Sequence, residues 1–527
     1  MSTYPKQNIL NSDSNDLTSI SSECAHLFSK NTKKNERKPL GQFFTPQEIA
    51  RYMANCIDIS GDRVSILDPC AGTGTLIAAF CDKIAKEMDH SINIFINAYE
   101  IDSKLIPYLE SSMSFCKEIL ELNGHIVDYL IIEGNFIEKN AQYLNHNFPD
   151  NDQDEYLEYF DIVLSNPPYY KLKRDCKEYE IMNGFLNGQP NIYSSFVILA
   201  TKMLKNSGQF VHIIPRSFCS GLYYKNIRNW LLENSCIYGI HNFKSRSKIF
   251  DQQEVLQEVI IIYGGAGNAK KCKTALISSS KDKSLDDYKE VNVPYRYISH
   301  PYGEDKYIRI PTSRFEMDIL DIVDSWEYTL EDFGITVSTG RIVDFRTMDN
   351  LRDDYSGDNC VPLLWAQNLN QDGINLNPKN YTKKKGIEIN NETKKALVPI
   401  QNYVLLKRLT SKCNKRRIFA SPFFKSQFRE FEFIGFENHL NYIHGIDRGL
   451  KVKEVKGLCA LLGSDIIDVY FRVMNGSTQV NANDLLKIPM PDYEVICALS
   501  NVHKSNKIME ILISESFHAE NNDLWSE

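Results

Sequence analysis

Asp161-Ile162-Val163-Leu164-Ser165-Asn166-Pro167-Pro168-Tyr169 reads as a short apolar strand that stops on two prolines. Each proline fixes its backbone and removes a donor while leaving a carbonyl free to accept. Asn166 adds a side-chain oxygen and Tyr169 a flat aromatic face. That set suits an exocyclic amine on an aromatic ring, a poor nucleophile because its lone pair is delocalised. Two acceptors, the Asn166 side-chain oxygen and the Pro167 carbonyl, can draw its hydrogens out of plane and localise the lone pair. Tyr169 can hold the ring by stacking. Taken alone, the stretch has a competing reading as a rigid turn.

Outward from this strand, β-branched or aromatic runs alternate with helical stretches from about Pro39 to Gly264, the pattern of a doubly wound α/β sheet. Seven strands are expected, at 64–67, 92–99, 129–132, 160–164, 209–214, 237–243 and 258–263. Leu76, Ile77, Phe80 and Ile84, then Phe196, Leu199, Ala200 and Met203, fall at helical spacing and predict helices covering the sheet. The first strand ends in Leu67-Asp68-Pro69-Cys70-Ala71-Gly72-Thr73-Gly74, a glycine turn that lets backbone approach a nucleoside-bearing cofactor. Ile77 stands where a dinucleotide fingerprint has its third glycine, and no phosphate-gripping GK[ST] follows. Glu100 ends the second strand, where a carboxylate can accept from ribose hydroxyls, or merely be solvated. Gly134-Asn135-Phe136 ends the third, where an amide and a ring can read an adenine, or make a turn. Four successive strand tips point at one cleft, at the carboxyl edge where open α/β sheets bind ligands.

The chain of 527 residues, 43% of them hydrophobic, is long enough for a full α/β core and a further domain. Thirteen cysteines without a CxxC pair read as free thiols in a reducing cytoplasm. Apolar runs of strand length, such as 259–263, are too short to span a bilayer, so no membrane partner is expected. A net charge of -8 argues against a uniformly basic nucleic-acid binder, yet 403–429 carries eight Lys or Arg and no acid. Within it Lys407, Arg408, Lys412, Lys415, Arg416 and Arg417 read equally as a solvated face or a phosphate-binding strip. Four divisions are expected: a mobile arm at 1–35, a catalytic domain at 36–265, a connector at 266–330 and a mixed α+β domain at 331–527, with a helical stretch near 453–473. His212 and His439 have no second ligand at HxxxH spacing and read as structural, so no metal is expected.

The order of these segments resembles the gamma class of N6-adenine DNA methyltransferases, the TaqI-like and PstI-like modification methylases of bacterial restriction-modification systems. Residues 38–265 carry most of the likeness. Gly41-Gln42-Phe43-Phe44-Thr45-Pro46 is similar to that class's N-terminal cofactor motif. The resemblance implies a seven-stranded, Rossmann-like S-adenosylmethionine-dependent methyltransferase domain followed by a DNA target-recognition domain. It implies Thr45 and Asp68 near the methionine end of S-adenosylmethionine, with Ala71, Gly72 and Gly74 forming the loop around it. Glu100 would hold the ribose, Ile101 pack on the adenine, Asn135 bind its amine and Phe136 stack. Asn135 departs from the usual Asp. The implied catalytic group is Asn166, Pro167 and Tyr169, with Phe250 on the opposite face of the flipped base. Val337-Ser338-Thr339-Gly340-Arg341 and Leu364-Trp365-Ala366-Gln367-Asn368 look like the opening segments of the recognition domain, and Asn475-Gly476-Ser477-Thr478-Gln479-Val480-Asn481 resembles a segment near the C-terminus of the PstI-like enzymes.

The implied reaction is direct methyl transfer to an adenine turned out of double-stranded DNA. The expected setting is a bacterial cytoplasm, with a separate cognate restriction endonuclease acting on the same site. An amine on RNA or on a protein glutamine poses the same chemical problem, and a catalytically silent DNA-binding specificity protein is the alternative from another class. A fused nuclease is not expected, because the roughly 35 residues before the catalytic region cannot house one.

Overall fold

The computed structural model describes residues 16–32, 43–146, 157–186, 188, 191–245, 249, 258–267, 272–299, 306–357, 359–410, 416–475, 479–502 and 506–514. It divides into two compact units, Met1–Thr312 and Ser313–Glu527.

The first unit is built on one sheet. Its strands are β1 (Arg63–Asp68), β2 (Asn93–Glu100), β3 (Ile126–Glu133), β4 (Phe160–Ser165), β5 (Leu204–Pro215), β6 (Ser235–Phe243), β7 (Val259–Ala266), β8 (Thr274–Ser280) and β9 (Lys289–Pro294). They lie in the order β3-β2-β1-β4-β5-β7-β6-β8-β9. β1 pairs in parallel with both β2 and β4, β4 with β5, and β7 runs antiparallel between β5 and β6. This is the expected doubly wound, Rossmann-like sheet. The crossover direction reverses between β1 and β4, so the ends of those strands border the crevice where such sheets take ligands.

Three expectations need correction. The segment read as a connector supplies β8 and β9, which extend the sheet beyond β6. β8 escapes a hydrophobic reading because its buried face is polar. The His241 ring bonds the Ser278 hydroxyl at 2.9 Å through Nδ1 and that of Ser280 at 3.0 Å through Nε2. The residues at 281–287, rich in Lys and Asp, form a turn and not a linker. The arm, in its described part, is the helix Leu17–Asn31, with Leu17, Ile20, Cys24 and Phe28 buried. Interleaved Ser and Thr hide that stripe in the sequence, but Thr18 and Ser21 are buried too. Asp82, from the helix Thr75–Glu87, accepts from the amides of Leu17 (3.0 Å) and Thr18 (2.9 Å) and from the Thr18 hydroxyl. The Ser21 hydroxyl donates to the Thr73 carbonyl at 2.8 Å, fastening the helix to the glycine turn.

Cys236 and Cys272 form a disulfide with a Cα–Cα distance of 5.7 Å, which corrects the reading of all cysteines as free thiols; 36 residues apart, they carry no local signature. Ten other described cysteines are free. Among the described residues no helix is long and apolar enough to cross a membrane.

The second unit is mixed α+β. A four-stranded antiparallel sheet orders Ile335–Thr339, Leu440–Gly445, Tyr403–Lys407 and Ala420–Phe423. A second sheet of five short strands centres on Cys360–Leu364. The expected helical stretch is two helices, Val452–Leu462 and Asp465–Met474, separated where Ser464 caps the second through the Ile467 amide.

Replacing Asp82 by Ala leaves two backbone donors and one hydroxyl of a buried helix end without their acceptor, at a cost of about 1–3 kcal/mol. Hydrogen exchange at residues 17–28 is expected to accelerate by roughly tenfold to a hundredfold. Unchanged protection there would contradict the capping role.

Candidate active site

The tips of β1 to β4 surround one cavity, with an empty volume of about 740 Å³ that includes its open mouth. Gly72, Glu100, Ile101, Asn135, Phe136 and Asn166 line it, so residues spread over nearly a hundred positions converge as the strand-end argument predicts. Asp68, Ala71 and Gly74 build the turn behind it. The Ala71 amide donates to the Tyr99 carbonyl at 2.8 Å and the Gly74 amide to the Ala71 carbonyl at 2.7 Å. Gly74 sits at φ +83°, where a side chain would be strained and would press on Met113.

Two carboxyl groups sit at this turn. Glu100 Oε2 accepts from the Gly72 amide at 2.9 Å and Oε1 from the Asp102 amide at 2.8 Å. Asp68 Oδ1 accepts from the Cys70 amide at 3.1 Å, while its Oδ2 is buried with no hydrogen-bond partner among the described residues. Burial pushes each carboxyl up to about 7, the neighbouring charges adding to it. The same burial, beside Asp68 and Glu100, pushes the Cys70 thiol well above its ordinary range, which removes it as a nucleophile.

Asn166 is held from the N-terminal side. Its Nδ2 donates to the Phe43 carbonyl at 2.8 Å and to the Thr45 hydroxyl at 3.0 Å. Both amide hydrogens are thereby used, and Oδ1 is left as the acceptor. The Tyr169 hydroxyl has two acceptors in reach, the Ile213 carbonyl at 2.8 Å and Asn166 Oδ1 at 3.1 Å. Burial pushes that hydroxyl well above its ordinary range, so it keeps its proton and serves as a donor. Tyr169 is 8% exposed, its ring packed near Phe43 and Tyr193, and it is Tyr170 and Pro168 that line the cavity. Pro167 is buried at the strand end.

Asn135 does what a turn residue does. Its Oδ1 caps the short helix Phe136–Lys139 through the amides of Ile137 and Glu138, and Nδ2 donates to Glu178 at 2.7 Å. Ile101 is 54% exposed at the cavity, as a packing surface for a flat ligand would be. Phe136 stacks on Phe196 and meets Tyr99 edge-on. Phe44, Leu105, Tyr170, Ile192 and Phe196 complete the apolar wall. Sequence periodicity assigned Phe196 to the sheet-covering face of its helix and did not distinguish that face from a cavity wall. Gly41, Gln42, Phe250, Lys412 and Lys415 lie outside the described residues.

A family profile described as N-6 DNA Methylase matches residues 25–295. The chain belongs to the N-6 DNA methylase family. It is 33% identical over 506 residues to the type II methyltransferase M.BsuBI of Bacillus subtilis, covering 92% of this chain and 96% of that one. To the type II methyltransferase M.PstI of Providencia stuartii it is 33% identical over 468 residues, covering 88% and 89%. A cryo-EM structure of a DrdV–DNA complex shares the fold at a TM-score of 0.52 and 12% identity, covering 93% of this chain and 60% of that one.

In this methylase the remaining expectations divide. His212 is fully buried between the Ser165 and Thr201 hydroxyls, and burial pushes its pKa down to about 3. His439 bonds Glu437. The basic strip is corrected at Arg417 alone. Arg417 is 1% exposed and its amide donates to Asp468, the Lys407 ammonium lies 4.1 Å over the Phe419 ring, Arg408 reaches the Asn438 carbonyl at 3.2 Å, and Arg416 pairs with Asp465 at 2.9 Å. Arg417 is thereby withdrawn from any phosphate-binding face, while Lys407, Arg408 and Arg416 are half-buried.

A buried carboxyl whose folded value lies above its unfolded one adds stability below the unfolded value and loses it as pH rises through about 7. Asp68→Asn removes that loss. The variant is expected to melt higher than the parent at pH 8, by roughly 2–4 °C per kcal/mol relieved, and the difference is expected to shrink as pH falls and to vanish only below about 4, the ordinary carboxyl range. Calorimetry showing the same difference at both pH values would refute the assignment.

Proposed function

We propose that this DNA methyltransferase transfers a methyl group from S-adenosylmethionine to the exocyclic N6 of an adenine turned out of double-stranded DNA. It would serve as the modification half of a bacterial restriction-modification system, in the cytoplasm, beside a separate endonuclease for the same site. The observation that carries the reading is the orientation of Asn166. With Nδ2 committed to Phe43 and Thr45, its Oδ1 is presented as an acceptor at the cavity. An amine hydrogen bonded there, and a second one at the Pro167 carbonyl, would be drawn from the ring plane, leaving the nitrogen lone pair directed away from both.

The residues present fit the cofactor. Asp68 Oδ2, buried and unpartnered, suits an ammonium or sulfonium, and Glu100 keeps a lone pair on each oxygen for hydroxyl donors. When bound, S-adenosylmethionine supplies an electrophilic methyl group on a sulfonium. Gly72, with the Phe44 ring 3.6 Å from where a Cβ would stand, lets backbone approach the ligand closely. The Tyr169 hydroxyl steadies Asn166, while its ring, as packed, leaves Tyr170 as the aromatic face at the cavity. The unit Ser313–Glu527 would read the DNA target. An RNA or glutamine amine has no observation of its own to favour it.

The test is transfer of labelled methyl to unmethylated bacterial DNA, with the modified nucleoside identified by mass spectrometry. N6-methyladenine is expected from the parent and at least about a thousandfold less from Asn166→Ala, at unchanged cofactor affinity. Label in RNA or protein, with none in DNA, would overturn the reading. A second expectation concerns pH. If the cofactor needs an ionised Asp68, its affinity should rise about tenfold between pH 6 and pH 8, with proton release on binding at the lower pH. Titration calorimetry giving equal affinities would contradict that role.

A further inference from the structure

Besides the segment that carries Lys407 and Arg408, the second unit offers another cationic surface. The segment Val337-Ser338-Thr339-Gly340-Arg341 ends at a close approach of two chains. A Cβ at Gly340 would stand 2.3 Å from the Glu437 carbonyl oxygen and 2.5 Å from that of Phe436. Ile342 follows, fully buried in a cluster with Val361, Leu363, Trp365 and Ile387. Beyond it two successive 3-10 turns, Asp344–Arg346 and Met348–Asn350, carry the chain out and back to Leu351, which pairs with Ile387. The Asn390 amide donates to Asn350 Oδ1 at 2.6 Å and holds the returning end. A turn so anchored would be expected to show polar side chains. Instead it presents Phe345, 68% exposed, and Met348, 67% exposed.

Cations ring this apolar pair. The Arg346 guanidinium lies 5.5 Å from the Phe345 ring centre, and Arg341 reaches the Lys395 carbonyl at 3.4 Å. The segment Leu364-Trp365-Ala366-Gln367-Asn368 converges here too. The Trp365 indole donates to the Lys384 carbonyl at 2.7 Å, and the Lys383 ammonium sits 4.5 Å over its ring and 3.6 Å from Asp344. Residues 341–349 and 383–395 together hold seven Lys or Arg against four Asp or Glu, a net +3 in a chain of net -8. Arg346, Lys394 and Lys395 have no acidic partner among the described residues.

We propose that the turn Val343–Met348 is a wedge for duplex DNA: Phe345 and Met348 enter between base pairs from the minor groove while Arg341, Arg346, Lys383 and Lys395 hold the flanking phosphates. The inference rests on the reading of function above. Apolar side chains inserted at a base step unstack it and bend the duplex, and cations beside them compensate the phosphates brought close. Such unstacking would lower the cost of turning an adenine out. Both sequence segments that resemble the opening of a recognition domain thereby acquire a physical task, one placing the wedge and the other its lysine rim.

The test uses the full chain and unmethylated plasmid DNA. In Arg346→Ala/Lys395→Ala the slope of log affinity against log salt is expected to shrink by about 1.8, two phosphate contacts at about 0.9 each. In Phe345→Ala/Met348→Ala that slope is expected to persist, while kcat/KM for DNA falls at least about tenfold and permanganate-reactive thymines in the bound DNA disappear. Cofactor affinity and melting temperature should match the parent in both, since all four side chains are exposed. Parental slope, kcat/KM and permanganate pattern in both variants would overturn the wedge. So would unchanged DNA behaviour accompanied by a shift in oligomeric state, which would assign the face to a second copy. A parent that binds DNA without methylating it would overturn the reading of function, and the salt slope and permanganate pattern would still decide the wedge.

Discussion

Everything the site does depends on one side-chain amide being held one way round. Asn166 stands at the end of a buried strand, and its two amide hydrogens are taken by groups more than 120 residues earlier in the chain. An asparagine free to rotate would offer a donor as readily as an acceptor. Pinned to Phe43 and Thr45, it offers an acceptor, and the protonated Tyr169 hydroxyl reinforces that sense from the other side. The sheet supplies the position and the N-terminal segment supplies the orientation.

That dependence gives the helix Leu17–Asn31 a role that its polar composition conceals. Its Phe28 packs edge-on against Phe44, its Ser21 holds the carbonyl of Thr73, and Asp82 receives its amino end. The strand carrying Asn166, the glycine turn and the Phe43–Thr45 segment are therefore braced as one body. Within it, burial holds Asp68 and Glu100 in their neutral forms more than solvent would. In the function proposed above, a sulfonium with an attached ammonium would suit two such carboxyls better than a neutral nucleoside.

Much of this was legible in the sequence, for a physical reason. Parallel strands buried on both faces announce themselves as apolar runs, and ligand residues at their tips follow at fixed offsets, so Gly72, Glu100, Asn135 and Asn166 could be assigned to one cleft. What escaped was buried structure made from polar residues. β8 hides Ser278 and Ser280 behind His241, and the N-terminal helix alternates Ser and Thr with its apolar stripe. Charge was misread at Arg417 for the converse reason. A run of cations in the sequence says nothing about which way each side chain turns, and Arg417 is buried while Lys383 and Lys395, from another segment, face out. Thr45 shows a finer limit. Its motif placed it at the cofactor, whereas its hydroxyl lies on the Asn166 amide.

The measurement that tests the central claim most directly is the single-turnover methyl-transfer rate of Thr45→Val, with cofactor affinity measured on the same protein. Loss of one of the two bonds that orient Asn166 should slow transfer by about tenfold, the worth of one hydrogen bond to a buried group, and leave cofactor affinity unchanged. A parental transfer rate, or a loss confined to cofactor affinity, would contradict the account and return Thr45 to the cofactor.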